Sequence, residues 1–180
     1  MPSEPIDEGK AVAEQRTGGR PPALPPAVES MTLLAAAVIV HDQENDRVVL
    51  LQRRPGAKYG NGLWDLPVGK SDPGEPVTET AVREPREETG LVVDPKSLRV
   101  AHLVHGARGV EAPGGFLTVV FVTHEWTGEP VNAEPAKHAQ VRWTGTGAVP
   151  EAIVPTTGIA LGHYVSGGVQ LSLAGFGDAG

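Results

Sequence analysis

Residues 69–91 read GKSDPGEPVTETAVREPREETGL, and the spacing of charged side chains in this stretch could do chemistry. Gly69 is followed six residues later by Glu75 and eight after that by Arg83; Glu84, Glu87, Glu88 and Gly90 come next. On a helix, positions 84, 87 and 88 stand at i, i+3 and i+4, so their carboxylates share one face. Like charges so placed repel and weaken the helix, and a hard divalent cation with oxygen ligands offsets that repulsion. Magnesium keeps several waters and takes its other ligands from a few carboxylates and from substrate phosphates. The loop at Gly69 brings bare backbone close to the same place. The plainer reading is a solvated acidic helix face on which Arg83 and Arg86 form surface pairs, and helical spacing by itself leaves both open.

The elements that must position these residues follow from pattern. Residues 32–40 form a short apolar run rich in small and β-branched side chains, which predicts a buried strand. The turn cluster HDQEND and a second strand at 47–54 complete a hairpin. A loop over 55–62 leads to a short strand at 63–67, and the irregular loop 69–76 leads to a helix over 78–89 capped by Gly90. Strands are expected near 98–106, 116–126 and 140–143, and a last helix over 156–165. Strands on both sides of one central helix give a mixed α/β chain. Pro85 stands inside the expected helix among the charged positions. It removes one backbone hydrogen bond and crowds the preceding turn, at a cost of roughly 3 kcal/mol, which predicts a kink.

Composition bounds the rest. A chain of 180 residues suits one domain of ordinary core size. Residues 1–30 are rich in proline and glycine with few large apolar side chains, so a disordered tail is expected there, the domain over 31–166, and a C-terminal tail over 167–180. With 15 basic and 22 acidic residues the net charge is −7, which gives no general attraction for a nucleic acid polymer or an anionic membrane. An anionic small molecule then needs a metal or a few placed cations. The chain has no cysteine, so disulfides, thiolate nucleophiles and cysteine-based zinc sites are excluded. The start MPSEPIDEGK has neither a basic beginning nor an apolar run, and the longest apolar run is far too short to span a bilayer, so a soluble cytoplasmic protein is expected.

The stretch 69–91 resembles the Nudix box, G-x5-E-x7-R-E-U-x-E-E-x-G-U with U apolar, at all seven fixed glycine and charged positions. At roughly 6% per position, a chance match is on the order of 10⁻⁹ per starting point, so the acidic-face reading gives way. The preceding LWDLPVG is similar to the family's strand into that loop, and the resemblance extends over about residues 31–165. It implies an α/β/α sandwich with a central mixed sheet and a hydrolase that cleaves a nucleoside diphosphate linkage with magnesium or manganese. Glu87 and Glu88 would bind the metal, with Glu84 as a further ligand or the base that activates water. Arg83 would orient a box glutamate and pair with Glu75, and the backbone carbonyl of Val68 would complete the metal site beside Gly69. Valine at 68 departs from a glycine common in the family, and Pro85 departs from its usual apolar residue.

Residues 126–143, WTGEPVNAEPAKHAQVRW, resemble a segment of the MutT-like branch in which N-x-E-P-x-K precedes the last strand. That implies a nucleoside or deoxynucleoside triphosphate, modified or not, as the small-molecule partner, converted to monophosphate and pyrophosphate. Asn132, Glu134 and Lys137 are then candidate substrate contacts, against a structural reading as a proline-fixed loop. Trp64 and Phe116 are candidates to stack on a base, against burial in the core. Glu111, Glu125 and Glu134 are candidates for a distal metal carboxylate. Arg53 and Arg54 could meet phosphates, with only one of them expected to face the cleft. The histidines show no zinc spacing, and His102 and His105 fall on opposite faces of a strand. Two alternatives stand beside this reading: a Nudix hydrolase of ADP-ribose, a dinucleotide or a sugar nucleotide, and a non-catalytic nucleotide-binding module.

Overall fold

The computed structural model describes residues 32–109 and 112–177. The expected N-terminal tail and Glu111 lie outside the described residues. Among the described residues, ten strands and two α-helices run in the order β1 (Leu33–Asp42), β2 (Arg47–Arg53), β3 (Trp64–Asp65), β4 (Val68–Lys70), α1 (Val77–Thr89), β5 (Val92–Val93), β6 (Arg99–Gly106), β7 (Phe116–Thr123), β8 (Trp126–Thr127), β9 (His138–Gly145), α2 (Pro155–Val165) and β10 (Gln170–Ala174).

The sheet is mixed. β1 lies parallel to β7 over its upper length and antiparallel to β4 through Ala35–Lys70, Ala36–Gly69 and Ala37–Val68. It meets β2 only at the hairpin end, through His41–Val48 and Asp42–Arg47. Beyond that point the two strands diverge. Residues 64–70 fill the gap, β3 pairing with β2 and β4 with β1. This wedge carries Gly69 to the start of the loop before α1.

Helices cover both faces, which is why β1 is a continuous apolar run and not an alternating one. Ala36, Val38 and Val40 pack with Ala81 of α1 and with Leu91, while Ala37 and Ile39 pack with Ala160 and Leu161 of α2. The expected α/β/α sandwich is the observed architecture. α1 runs unbroken through Pro85, which is buried, so the expected interruption does not end the helix. At its C-terminus Gly90 takes a left-handed φ of 74° and donates its N–H to the Arg86 carbonyl.

The C-terminal region corrects the sequence reading. Residues 170–174 are no tail: they form β10, parallel to β6 at the sheet edge. Ser172 Oγ lies 2.8 Å from Nε2 of the fully buried His102, which anchors the strand. The short QLSLA segment between glycines lacks the long β-branched run that marked the other strands. β4 and the two-stranded β5–β8 ribbon are also absent from the sequence reading, being too short to leave a periodic signal.

Candidate active site

α1 places the box residues on two sides of one helix edge. Glu84 and Glu88, one turn apart, point inward and are buried, whereas the Glu87 side chain is 51% exposed. Arg83 ties the group together. Its Nε and Nη2 donate to the two carboxylate oxygens of Glu75 at 2.8 and 2.9 Å. Nη1 donates to Glu84 at 2.5 Å and to Glu87 at 3.1 Å, and Nη2 also donates to the Lys70 carbonyl at 3.0 Å. One guanidinium thereby fixes three box glutamates and the loop. The bidentate pairing holds Glu75 down at about 2 and raises Arg83 above its ordinary value.

Glu88 accepts the Val68 N–H at Oε2 (2.9 Å), and its Oε1 lies 3.4 Å from Nε2 of His138. Burial pushes the Glu88 carboxyl well above the usual carboxylate range, the Val68 bond opposing it. Glu84 is raised too, first by burial, with Arg83 opposing. Both shifts come first from burial, and two buried carboxyls close together are an arrangement that a bound cation would favour. Gly69 adds an independent sign: a Cβ on it would overlap the Glu84 carboxylate, so the loop backbone and that carboxylate share one small space. Oxygen donors crowded against bare backbone fit a hard divalent cation.

The carboxylates do not all converge. Among the described residues, the acidic and histidine ligand atoms that gather within 4.8 Å of one another are those of Glu88, Glu134 and His138. Glu84 and Glu87 instead meet at Arg83. Of the three residues 84, 87 and 88, the first and last are buried side by side along the helix edge and Glu87 lies exposed at its rim.

Val68 and Gly69 also line a cavity of about 840 Å³, within the size range of small-molecule sites. Leu33, Ala35, Val104 and Phe116 give it apolar walls, and Arg53, Arg54, Lys58, Lys70 and Lys137 bring five cations to it. Phe116 and Lys137 thus line the cavity. Trp64 does not. It is 5% exposed in the core beneath α2, with the Arg142 guanidinium 4.4 Å above its ring. The expectation that only one of Arg53 and Arg54 faces the cleft is overturned. Both line the cavity, because β2 ends at Arg53 and strand alternation does not govern Arg54. Arg53 is committed to the buried Asp65 at 2.8 Å, while Arg54 bonds the Pro135 carbonyl at 2.9 Å.

Asn132 serves the loop: its Nδ2 donates to the His138 carbonyl at 2.9 Å. Glu134 pairs with Lys137 at 2.7 Å and stands near Glu88, whereas Glu125 is exposed at the β7–β8 turn. Sequence reasoning missed His138, which is 1% exposed and beside Glu88. Its position directly after N-x-E-P-x-K was the signal available.

The sandwich, the Gly69 loop and the charged helix edge define the Nudix hydrolase class. The NUDIX domain model matches residues 31–158, and the chain belongs to the Nudix family. It is 26% identical over 147 residues to a putative 8-oxo-dGTP diphosphatase of Bacillus subtilis, covering 76% of this chain and 83% of that one. It is 35% identical over 80 residues to human 8-oxo-dGDP phosphatase NUDT18, covering 44% of this chain but 24% of that protein. The chain likewise spans 60% of the Bacillus subtilis Nudix hydrolase YvcI and 18% of a putative nudix hydrolase of Caenorhabditis elegans. Among solved structures, a MutT NUDIX hydrolase from Burkholderia pseudomallei superposes with a TM-score of 0.64 at 26% identity, covering 74% of this chain and 98% of that one.

Proposed function

We propose that this protein is a magnesium- or manganese-dependent hydrolase that converts a nucleoside or deoxynucleoside triphosphate to the monophosphate and pyrophosphate. The observation that carries the reading is the buried Glu84–Glu88 pair against Gly69 and Val68, which also line a cation-bearing cavity. Names of relatives that include an 8-oxo-dGTP diphosphatase and an 8-oxo-dGDP phosphatase favour a purine nucleotide, modified bases included.

Glu84, Glu87, Glu88 and the Val68 carbonyl would hold the metal. Bound there, the ion would neutralise phosphoryl oxygens and lower the pKa of a water. Glu84 Oε1 is taken by Arg83, which leaves Oε2 either to hold the ion or, as the alternative role, to accept a proton from the attacking water. Arg83 keeps that carboxylate in place through its own pairing with Glu75. Lys137 and Arg54 reach the polyphosphate from the cavity side, and Phe116 stacks on the base. Catalysis of this kind needs position and electrostatics and no covalent intermediate. A cytoplasmic setting belongs to the same reading; no helix among the described residues is long and apolar enough to cross a membrane.

The test is product analysis by anion-exchange chromatography after incubation with magnesium and a panel of nucleoside triphosphates, 8-oxo-dGTP, ADP-ribose, NADH and sugar nucleotides. Monophosphate and pyrophosphate from one triphosphate class support the proposal. Cleavage of ADP-ribose or a sugar nucleotide alone would move the assignment to another branch of the family. Binding without turnover on any member would make the chain a nucleotide-binding module.

A further inference from the structure

The loop 131–138 is sewn to the end of α1. Val131 N–H donates to the Thr89 carbonyl at 2.9 Å and Ala133 N–H to the Glu88 carbonyl at 3.2 Å. His138 N–H returns to the Glu134 carbonyl at 3.0 Å, and Asn132 holds the His138 carbonyl. These bonds hold Glu134 and His138 beside Glu88.

The His138 ring is then buried without a hydrogen bond. Nδ1 has no partner, and Nε2 faces Glu88 Oε1 at 3.4 Å, beyond the ordinary N–H···O range. Buried polar groups are normally satisfied, and this ring, 1% exposed, has no partner at Nδ1 and at Nε2 only the 3.4 Å contact with Glu88, a spacing that admits a shared cation. The distance suits one: two donors each about 2.1 Å from a tetrahedral ion stand about 3.4 Å apart.

We propose that His138 Nε2, Glu88 and Glu134 form a mixed nitrogen–oxygen site for a divalent first-row transition ion. An imidazole in the ligand set favours such an ion over magnesium, which takes oxygen donors. Lys137 is the internal competitor, since its ammonium holds Glu134 Oε1 at 2.7 Å; the second oxygen of Glu134 remains for the ion. The inference rests on the reading that Glu88 is a metal ligand, and it adds a nitrogen donor that lets this edge also hold a transition ion such as manganese.

The experiment is manganese titration of the full chain followed by EPR, with pulsed EPR to detect coordinated nitrogen. The wild type is expected to show nitrogen modulation, which His138→Gln loses while its manganese affinity falls about tenfold or more. Glu134→Ala, at a side chain 25% exposed, is expected to keep the fold and the nitrogen signal and to weaken manganese by a similar factor. Should His138→Gln not fold, the wild-type spectrum and Glu134→Ala decide. No nitrogen modulation in the wild type, or modulation that survives in folded His138→Gln, overturns the proposal. Unchanged manganese affinity in Glu134→Ala overturns the three-residue site. Turnover that depends on Glu88 without nitrogen coupling would leave the hydrolase standing and remove the histidine ligand. Nitrogen coupling without turnover on any nucleotide would do the reverse.

Discussion

The carboxylate of Glu84 occupies the space where a side chain on Gly69 would begin, so a β4 residue and a helix residue fifteen positions apart define one site. Gly69→Ala must displace Glu84, and a shift of about 1 Å in such a group costs about 10²-fold in rate. The expected result is a kcat lowered by about that factor with unchanged circular dichroism. A wild-type kcat would show that Glu84 acts from another position.

Glu87→Gln and Glu88→Gln are expected to abolish turnover while preserving the fold. The two differ in stability. Glu88 is buried and Glu87 is half exposed, so neutralising Glu88 relieves the larger desolvation cost. Thermal unfolding in EDTA should give Glu88→Gln a Tm equal to or above that of the wild type. A marked drop would mean that its contact with the Val68 N–H stabilises more than burial of the charge costs.

Glu75 links acid stability to the site. Its folded value near 2 lies below its ordinary 4.5, so its contribution is complete above about 4.5 and is lost as pH falls through about 2. Urea midpoints at pH 6 and pH 3 should therefore differ more for the wild type than for Glu75→Gln. Equal pH sensitivity in the two proteins would detach Glu75 from this effect.

Pro85 leaves the Ala81 carbonyl without the helical donor that any other residue would supply. Pro85→Ala restores that N–H and changes little volume, and a gain of about 1–3 kcal/mol raises Tm by several degrees. An unchanged or lower Tm would show that the surrounding helix is already adapted to the proline. The helix itself was legible despite this residue, because its cap and charge spacing extend on both sides.

Local pattern carried the main strands, the helix bounds and the box, since burial on both faces and fixed helical spacing leave marks in neighbouring residues. The short strand at 63–67 and the burial of Trp64 were legible, whereas β4, its place between diverging strands and the β10 edge strand depend on contacts distant in sequence. His138 was hidden for the same reason: its partner Glu88 is fifty positions away, and only the loop's backbone bonds to α1 bring them together. Phe116 and Lys137, far apart in sequence, both line the cavity, which local pattern could not show.

The most direct measurement is the initial rate of pyrophosphate release from the best triphosphate of the panel, for wild type, wild type in EDTA, and Glu88→Gln. The account expects magnesium-dependent release that falls to background in both controls, with the variant still folded. Wild-type rates in folded Glu88→Gln across the magnesium range would contradict the assignment of the catalytic metal to this helix edge.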